Sequence, residues 1–514
     1  MRTATRVIIT ASALLFAAGC ATIDYDYPRT ASYSLPDTGD TYLGREIVPE
    51  AARMPADQSG FYSMSDGIDA LAVRLQLAQR AEKSIDVQYY LIKNDLVGRA
   101  FIYALLQAAD RGVRVRLLLD DMFTSGNDVG LAALNSHPNI ELRIFNPFQR
   151  GTAGKLKSAV TGFGRINRRM HNKSFTVDNQ ITIIGGRNIA DEYFGASEDA
   201  KFGDFDVMGV GPIVQDVSNM FDTYWNHQTA LPASAFITPL EDPATALDEL
   251  RRRLNDSLQE IAESKYAQAV RSRALSSVEA DISLLEWAPY QLVVDSPDKG
   301  IKGQAQKAPS ITTPLIESLR SAESELLIIS PYFVPLKDAV SALTDLHKSG
   351  VNVTVITNSL AANNQFTVHG GYAPSRKPLL KAGIKIYEVR PDANVQGTEF
   401  VDTSRAKTTL HTKAFIVDDE EVFIGSFNFD PRSANLNTEL GVIIRDPDLA
   451  LNYFALVQSA LKKQTFEVFL NESGKIRWRG YTDDRELIYD KEPETTWGQR
   501  LAARFARIIP KSQL

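Results

Sequence analysis

The feature that most restricts the fold of this 514-residue chain is a set of polar residues that occurs once in each half. His171, Lys173 and Asp178 stand in the first half; His411, Lys413 and Asp418 stand in the second at the same spacing. The register continues downstream. Ile184-Gly185 matches Ile424-Gly425, Gly186 matches Ser426, and Asn188 matches Asn428. Farther on, Asp206-Val207-Met208-Gly209-Val210 parallels Glu439-Leu440-Gly441-Val442. Such an array does not arise twice by chance, so the chain is read as two copies of one unit.

The order of elements repeats as well. Ile68, Leu71, Leu75 and Ala78 have helical spacing and precede an apolar strand over 85–91. A helix over Phe101, Leu105 and Ala108 ends at Gly112, and Val113, Val115, Leu117 and Leu119 form the next strand. The second half predicts a helix at 315–322, a strand at 326–329, a helix at 339–347 and a strand at 351–355. One more strand follows in each half, at 140–145 and 384–389. This alternation predicts an α/β fold of two halves, each a sheet flanked by helices.

Composition excludes several classes. The 56 Lys and Arg against 63 Asp and Glu give a net charge of −7, which argues against a nucleic-acid partner. A content of 44% hydrophobic and 23% charged residues excludes a disordered chain and a multi-span membrane protein. The sole cysteine excludes an internal disulfide and, with six histidines, a Cys-rich zinc site. At the N-terminus, Arg2 and Arg6 precede a charge-free stretch over 7–19, too short for the ~20 residues that span a bilayer. It ends in Ala17-Ala18-Gly19-Cys20, which resembles a bacterial lipobox with Ala in place of the usual Leu. That resemblance implies lipidation at Cys20 and, with Ala21 in place of a retaining Asp, an outer-membrane anchor facing the periplasm. Residues 21–59 read as a tether, 60–227 as the first half, 228–285 as a helical connection, 286–464 as the second half and 465–514 as a C-terminal extension.

The motif spacing carries chemistry. Apolar neighbours such as Phe175, Val177, Phe415 and Val417 mark the motif as strand, so His171 and Lys173 share one face, as do His411 and Lys413. Asp178 and Asp418 lie at odd offset beside turns and are expected to face away, in a structural role. Two histidines allow one to attack a phosphorus while the other protonates the leaving oxygen. Lys173, Lys413, Asn188, Asn428 and Ser426 are candidates to neutralise and orient phosphoryl oxygens. No metal or other cofactor is called for, because lysine supplies the charge. Asp206 and Glu439 are the repeat-related candidates to fix the histidine tautomers. His137, His227, His347 and His369 have no repeat partner and read as structural, although His369 lies in a Gly-rich stretch near the expected entrance.

The paired H-x-K-x4-D motifs, each followed by Gly-Gly or Gly-Ser and Asn, resemble the phospholipase D superfamily over about 60–465. More narrowly, GFYSMSDGIDALAVRLQLAQRAEKSIDVQYY, LLLDDM, HNKSFTVDNQITIIGGRNIADEYFG and the tail YDKEP…W resemble the C-type bacterial cardiolipin synthases. The resemblance implies a duplicated phospholipase D fold with the active site between its halves. It counts the whole motif, Asp178 and Asp418 included, with the catalytic set. It further implies double displacement through a phosphohistidine, with His171 as nucleophile and His411 as acid. The implied product is cardiolipin, from phosphatidylglycerol and a second phospholipid, phosphatidylethanolamine. Three rivals remain open at this point: a phospholipase D releasing phosphatidic acid, a phosphodiesterase or nuclease, and a lipid-binding lipoprotein without activity.

Two segments suggest a membrane surface as partner. Arg150, Lys155, Lys157, Arg165, Arg168, Arg169 and Lys173 cluster without an acid just before and within the first motif. Near the C-terminus, Trp497, Leu501, Phe505 and Ile508 form one helical stripe beside Arg500, Arg504, Arg507 and Lys511.

Overall fold

The computed structural model describes residues 23–124, 126–150, 164, 167–273, 284–301, 303–304, 309–482 and 485–513. Cys20 and the rest of the leader lie outside the described residues. The strands of the first half are β1 (Gln58–Met64), β2 (Ser84–Tyr89), β3 (Arg114–Asp120), β4 (Ile140–Phe145), β5 (Ser174–Val177), β6 (Ile181–Gly185), β7 (Ala200–Gly203), β8 (Asp206–Val210) and β9 (Ala230–Pro232). Those that follow are β10 (Glu286–Val294), β11 (Glu325–Ile329), β12 (Asn352–Asn358), β13 (Lys385–Val389), β14 (Lys407–Leu410), β15 (Ala414–Val417), β16 (Glu421–Gly425), β17 (Leu440–Arg445), β18 (Thr465–Leu470), β19 (Ile476–Thr482) and β20 (Arg485–Tyr489).

Eighteen of these strands form one continuous sheet. Its first half runs β9-β4-β3-β2-β5-β6-β8-β1. Antiparallel pairing of β1 with β10 then joins it to β17-β16-β15-β11-β12-β13-β18, followed by β19 and β20. The order reads the same outward from the β1–β10 seam in both directions, which is the duplication expected from the repeat. In each half three strands are parallel, β2-β3-β4 and β11-β12-β13. Parallel strands need crossovers, and helices such as Leu96–Asp110 and Lys337–Lys348 supply them. One apolar cluster lies within each half, and a third draws on both, joining Ile184 and Val207 to Ile329, Ile416 and Val442. Neither half can move away without exposing that shared core.

Several sequence-based boundaries shift. Residues 23–59 do not hang free as a tether. Arg116 and Arg143, both buried, donate to the carbonyls of Ser32 and Thr30, and the Ser32 and Ser34 amides donate to Asn226 and Asp222. Buried guanidiniums require acceptors, and this segment provides them. Within it, helix Tyr42–Ala51 places Leu43 and Ile47 in the core. The connection gives up 230–232 to the first sheet as β9, and its helices Pro243–Gln259 and Lys265–Ser272 add Leu247, Tyr266 and Ala269 to the first core. The C-terminal extension begins inside the second sheet, since β18 pairs with β13 as β9 pairs with β4.

The motif aspartates hold the fold and do not reach the chemistry. Asp178 accepts from the amides of Glu82 (2.9 Å), Lys83 (2.7 Å) and Ser84 (2.9 Å) at the start of β2. Asp418 does the same for Glu323 (2.7 Å), Ser324 (2.7 Å) and Glu325 (2.9 Å) at the start of β11. Each opens a turn whose two central residues have positive φ: 49° at Asp178 and Asn179, 54° and 55° at Asp418 and Asp419. Asp and Asn tolerate that conformation better than most residues. Counting them with the catalytic set is therefore corrected. Replacing Asp178 with Ala strands three backbone donors and is expected to lower the unfolding free energy by ~1–3 kcal/mol in denaturant titration. Turnover per folded molecule should stay near that of the parent.

Candidate active site

Two short crossings between the halves deliver the histidines. On one side, β14 pairs in parallel with β7, and the His411 amide donates to the Gly203 carbonyl at 2.7 Å. On the other, Met170 bridges Thr438, and the His171 amide donates to the Thr438 carbonyl at 2.9 Å. In each case the next residue of the opposite half is acidic. His411 Nδ1 lies 2.5 Å from Asp204 Oδ2, and His171 Nδ1 lies 2.8 Å from Glu439 Oε2. Each histidine is thus held by a carboxylate from the other copy. An ionised carboxylate only accepts, so Nδ1 carries the proton and Nε2 presents its lone pair.

Asp206 does not orient a histidine, and this corrects the assignment from the repeat. It accepts from Arg74 Nη2 at 2.7 Å and lies 3.3 Å from Arg187 Nη1, all three groups being buried. The strand registers show why. Ile184 opposes Val207 as Ile424 opposes Val442, which makes Asp204 the counterpart of Glu439. The aspartate read from the sequence was two residues too late.

Ser426 is corrected too. Its hydroxyl donates to Glu439 Oε2 at 2.5 Å and accepts from the Leu440 amide at 3.0 Å, so it orients the carboxylate in place of binding phosphate. Ser433 donates to the other Glu439 oxygen at 2.7 Å, a contact with no repeat signal in the sequence. Asn188 donates to the Tyr193 hydroxyl at 2.9 Å. Its Oδ1, like that of Asn428, is buried without a partner among the described residues.

The His-Lys segments lie just ahead of β5 and β15, not within them as the apolar pattern suggested. Lys173 and Lys413 curl back, and each donates to the carbonyl of its own histidine. Lys413 Nζ also lies against the His411 ring, 2.7 Å from Nδ1 and 3.2 Å from Nε2. Aromatic walls fix the rings. Tyr90 meets His171 edge-on with centroids 5.1 Å apart, Tyr193 meets His411 edge-on at 5.0 Å, and Phe202 stacks on His411 at 5.6 Å. The Tyr193 hydroxyl lies 3.4 Å from His411 Nε2. Tyr90, Tyr193 and Phe202 have no partner in the repeat, so motif reading alone could not find them.

Burial lowers the proton affinity of every cation here. His171 is pushed down to about 4, mainly by burial with help from Lys173 and Lys413, against the pull of Glu439. His411 is pushed down to about 3 by burial and then Lys413. Burial lowers Lys173 to about 7 and Lys413 to about 8. Burial works against ionising Glu439 and Asp204, but the histidines and lysines outweigh it and hold both below the usual carboxylate range. Lys413 acts on His171 and Lys173 acts on His411, so the two motifs share one electrostatic site. Among the described residues no cluster of His, Cys, Asp or Glu could hold a metal ion.

The basic segment before His171 is committed to the protein where it is described. Arg150 binds Asp121 (2.7 Å), and Arg169 is buried against Asp120 (3.2 Å) and the Asn146 carbonyl (2.7 Å). Arg168 donates to the Lys299 and Asn435 carbonyls. These three pin the approach to His171, and the expectation that they hold lipid is corrected. Lys155, Lys157 and Arg165 lie outside the described residues.

A duplicated α/β fold with a reciprocally braced His-Lys pair at its seam defines a phosphoryl-transfer enzyme of the phospholipase D type. The model of the family described as "Cardiolipin synthase, PLD-like domain" matches residues 75–225 and 315–459, more than half of the chain. The chain is 40% identical over 472 residues to cardiolipin synthase C of Escherichia coli, covering 91% of this chain and 98% of that one. It is 26% identical to a cardiolipin synthase of Alkalihalophilus pseudofirmus over 74% of this chain and 62% of the other. The crystal structure of a phosphatidylserine synthase from Haemophilus influenzae shares the fold, with a TM-score of 0.57 at 14% identity, covering 91% of this chain and 99% of that chain. The chain belongs to the cardiolipin synthase-like family of the phospholipase D superfamily, and is a transferase of that class.

Asp204→Asn should lower kcat by ~10²–10⁴, the range for mispositioned proton-transfer groups. Asp206→Asn breaks a buried charge pair and should instead cost ~3–5 kcal/mol of stability. Steady-state kinetics beside denaturant unfolding of both variants separates the two roles.

Proposed function

We propose that the protein makes cardiolipin by transferring a phosphatidyl group from one phospholipid to another. Phosphatidylglycerol is one substrate and phosphatidylethanolamine the phosphatidyl donor. The single observation that carries this reading is the pair of histidines braced at Nδ1 from opposite halves, in a chain similar to a cardiolipin synthase along nearly its whole length.

His171 Nε2 attacks the donor phosphorus and the P–O bond to the leaving alcohol breaks. That oxygen takes a proton from His411, which the anionic diester and Asp204 favour in its charged form once substrate is bound. A phosphatidyl-His171 intermediate results. The acceptor hydroxyl then returns a proton to His411, its oxygen bonds to phosphorus, and the N–P bond breaks. Choosing His171 as nucleophile is supported by an asymmetry. No hydrogen bond engages its Nε2 among the described residues, whereas the Tyr193 hydroxyl stands 3.4 Å from His411 Nε2 and Lys413 lies against the His411 ring, nearer its Nδ1. Lys173 and Lys413 neutralise the non-bridging oxygens, and it is the side-chain N–H groups of Asn188 and Asn428 that can donate to the same oxygens, their Oδ1 atoms being acceptors only. Lipidation at Cys20 would anchor the enzyme in the envelope facing the periplasm, at the outer membrane, where its substrates lie.

The test is incubation of purified protein with labelled phosphatidylglycerol, with and without phosphatidylethanolamine, followed by mass analysis. Cardiolipin that rises when phosphatidylethanolamine is added supports the reading. Phosphatidic acid as the main product would make the protein a hydrolase, and no turnover of either lipid would leave a binding protein.

A further inference from the structure

The C-terminal helix Trp497–Ala506 docks on the second half in an unusual way. Its contact face is made of small residues: Ala503 and Ala506 are buried against Gly370 of helix Phe366–Lys381. A Cβ at Gly370 would lie 2.8 Å from both the Ala503 carbonyl and the Ala506 methyl, so the helices approach as closely as backbone allows. The bulky apolar residues are left outside. Trp497 is 71% exposed, Phe505 63% and Ile508 80%, and Phe366, one turn before Gly370, is exposed at 52%. Such a cluster marks an interaction surface.

Beneath this helix is a cavity of about 420 Å³, lined by His369, Arg376, Arg504 and Arg507, with Leu360 and Trp497 as apolar wall. His369 is fully buried. Its Nε2 is 3.2 Å from Glu492, and its Nδ1, also buried, has no hydrogen-bond partner among the described residues. The cavity's two carboxylates are already paired, Glu492 with Arg376 and Asp490 with Arg477. Arg504 and Arg507 are exposed and have no ion-pair partner among the described residues. The space therefore combines surplus positive charge and an apolar lip. Leu360 also ties it to the catalytic pair. Two residues earlier, Asn358 clasps the Leu410 backbone on both sides, at 2.8 and 2.9 Å, directly before His411.

We infer that this cavity is a second phospholipid site, which takes the phosphate headgroup of an anionic bilayer lipid while Trp497, Phe505 and Ile508 enter its acyl region. The phosphate oxygens accept from Arg504 and Arg507. The helix then seats the second half of the active site on the membrane at the level of its substrates. This rests on the proposed phospholipid chemistry only for the identity of the ligand.

The test uses the full chain in phosphatidylcholine vesicles with brominated acyl chains, with or without phosphatidylglycerol. Bromine quenches tryptophan emission on contact, and Trp497→Phe isolates the contribution of Trp497. Quenching of Trp497 is expected to grow with the phosphatidylglycerol fraction. Arg504→Gln with Arg507→Gln should raise the fraction needed by roughly fivefold for each arginine removed. Both side chains are exposed, so an unchanged melting temperature verifies the fold of the variant. Equal quenching with and without phosphatidylglycerol would overturn the headgroup site, and so would quenching indifferent to the two arginines. Inorganic phosphate without vesicles is the second arm. A saturable emission change from phosphate alone, with no dependence on phosphatidylglycerol, would assign the cavity to a free anion and overturn the lipid assignment. Quenching needs no turnover, so it stands or fails separately from the transfer reaction.

Discussion

The rest of the structure depends on the exchange of carboxylates between the halves. Glu439 holds His171 and Asp204 holds His411, each across the seam. A single half would leave its histidine without the group that fixes its tautomer. The backbone crossings at β7–β14 and at Met170–Thr438 exist on either side of that seam, and both end at the residue before the acid. The shared apolar core and the β1–β10 pairing then make the exchange rigid. Pre-organisation of this kind removes the reorganisation that water would otherwise require when charge develops on phosphorus.

Burial explains the chemistry as much as geometry does. Two histidines, two lysines and two carboxylates are nearly excluded from water in one place. The cost of desolvating the cations appears as lowered proton affinity, which leaves both imidazoles neutral at rest. A neutral imidazole with its Nδ1 proton committed is a ready nucleophile. The incoming phosphodiester brings the negative charge that this site lacks, so substrate completes the electrostatics and does not compete with them.

Much of this was legible in the sequence. The repeat gave two copies, the apolar periods gave the alternating strands and helices, and the register of His171, Lys173, His411 and Lys413 gave the site. Glu439 is legible because Glu439-Leu440-Gly441-Val442 parallels the acid-led apolar run Asp206-Val207-Met208-Gly209-Val210. Asp204 was missed for a physical reason: side chains alternate along a strand, so an offset of two residues keeps the same face and leaves Asp206 looking equally suitable. Only the pairing of β6 with β8 distinguishes them. Ser426 was misread because a hydroxyl serves phosphate or carboxylate equally well, and the choice depends on what folds beside it. The stretch around Thr30 and Ser32 has no periodicity because it follows the needs of buried Arg116 and Arg143 for carbonyl oxygens, which any residue supplies.

The most direct measurement of the reciprocal brace is ¹⁵N NMR of histidine-labelled protein, titrated with pH, beside Glu439→Gln and Asp204→Asn. The account predicts two imidazoles protonated at Nδ1 and neutral from pH 7 down to at least pH 5, since His171 and His411 are held at about 4 and about 3. Glu439→Gln should move the His171 signals and Asp204→Asn the His411 signals, each across the seam. Wild-type signals protonated at Nε2, or a Glu439→Gln effect confined to His411, would contradict it.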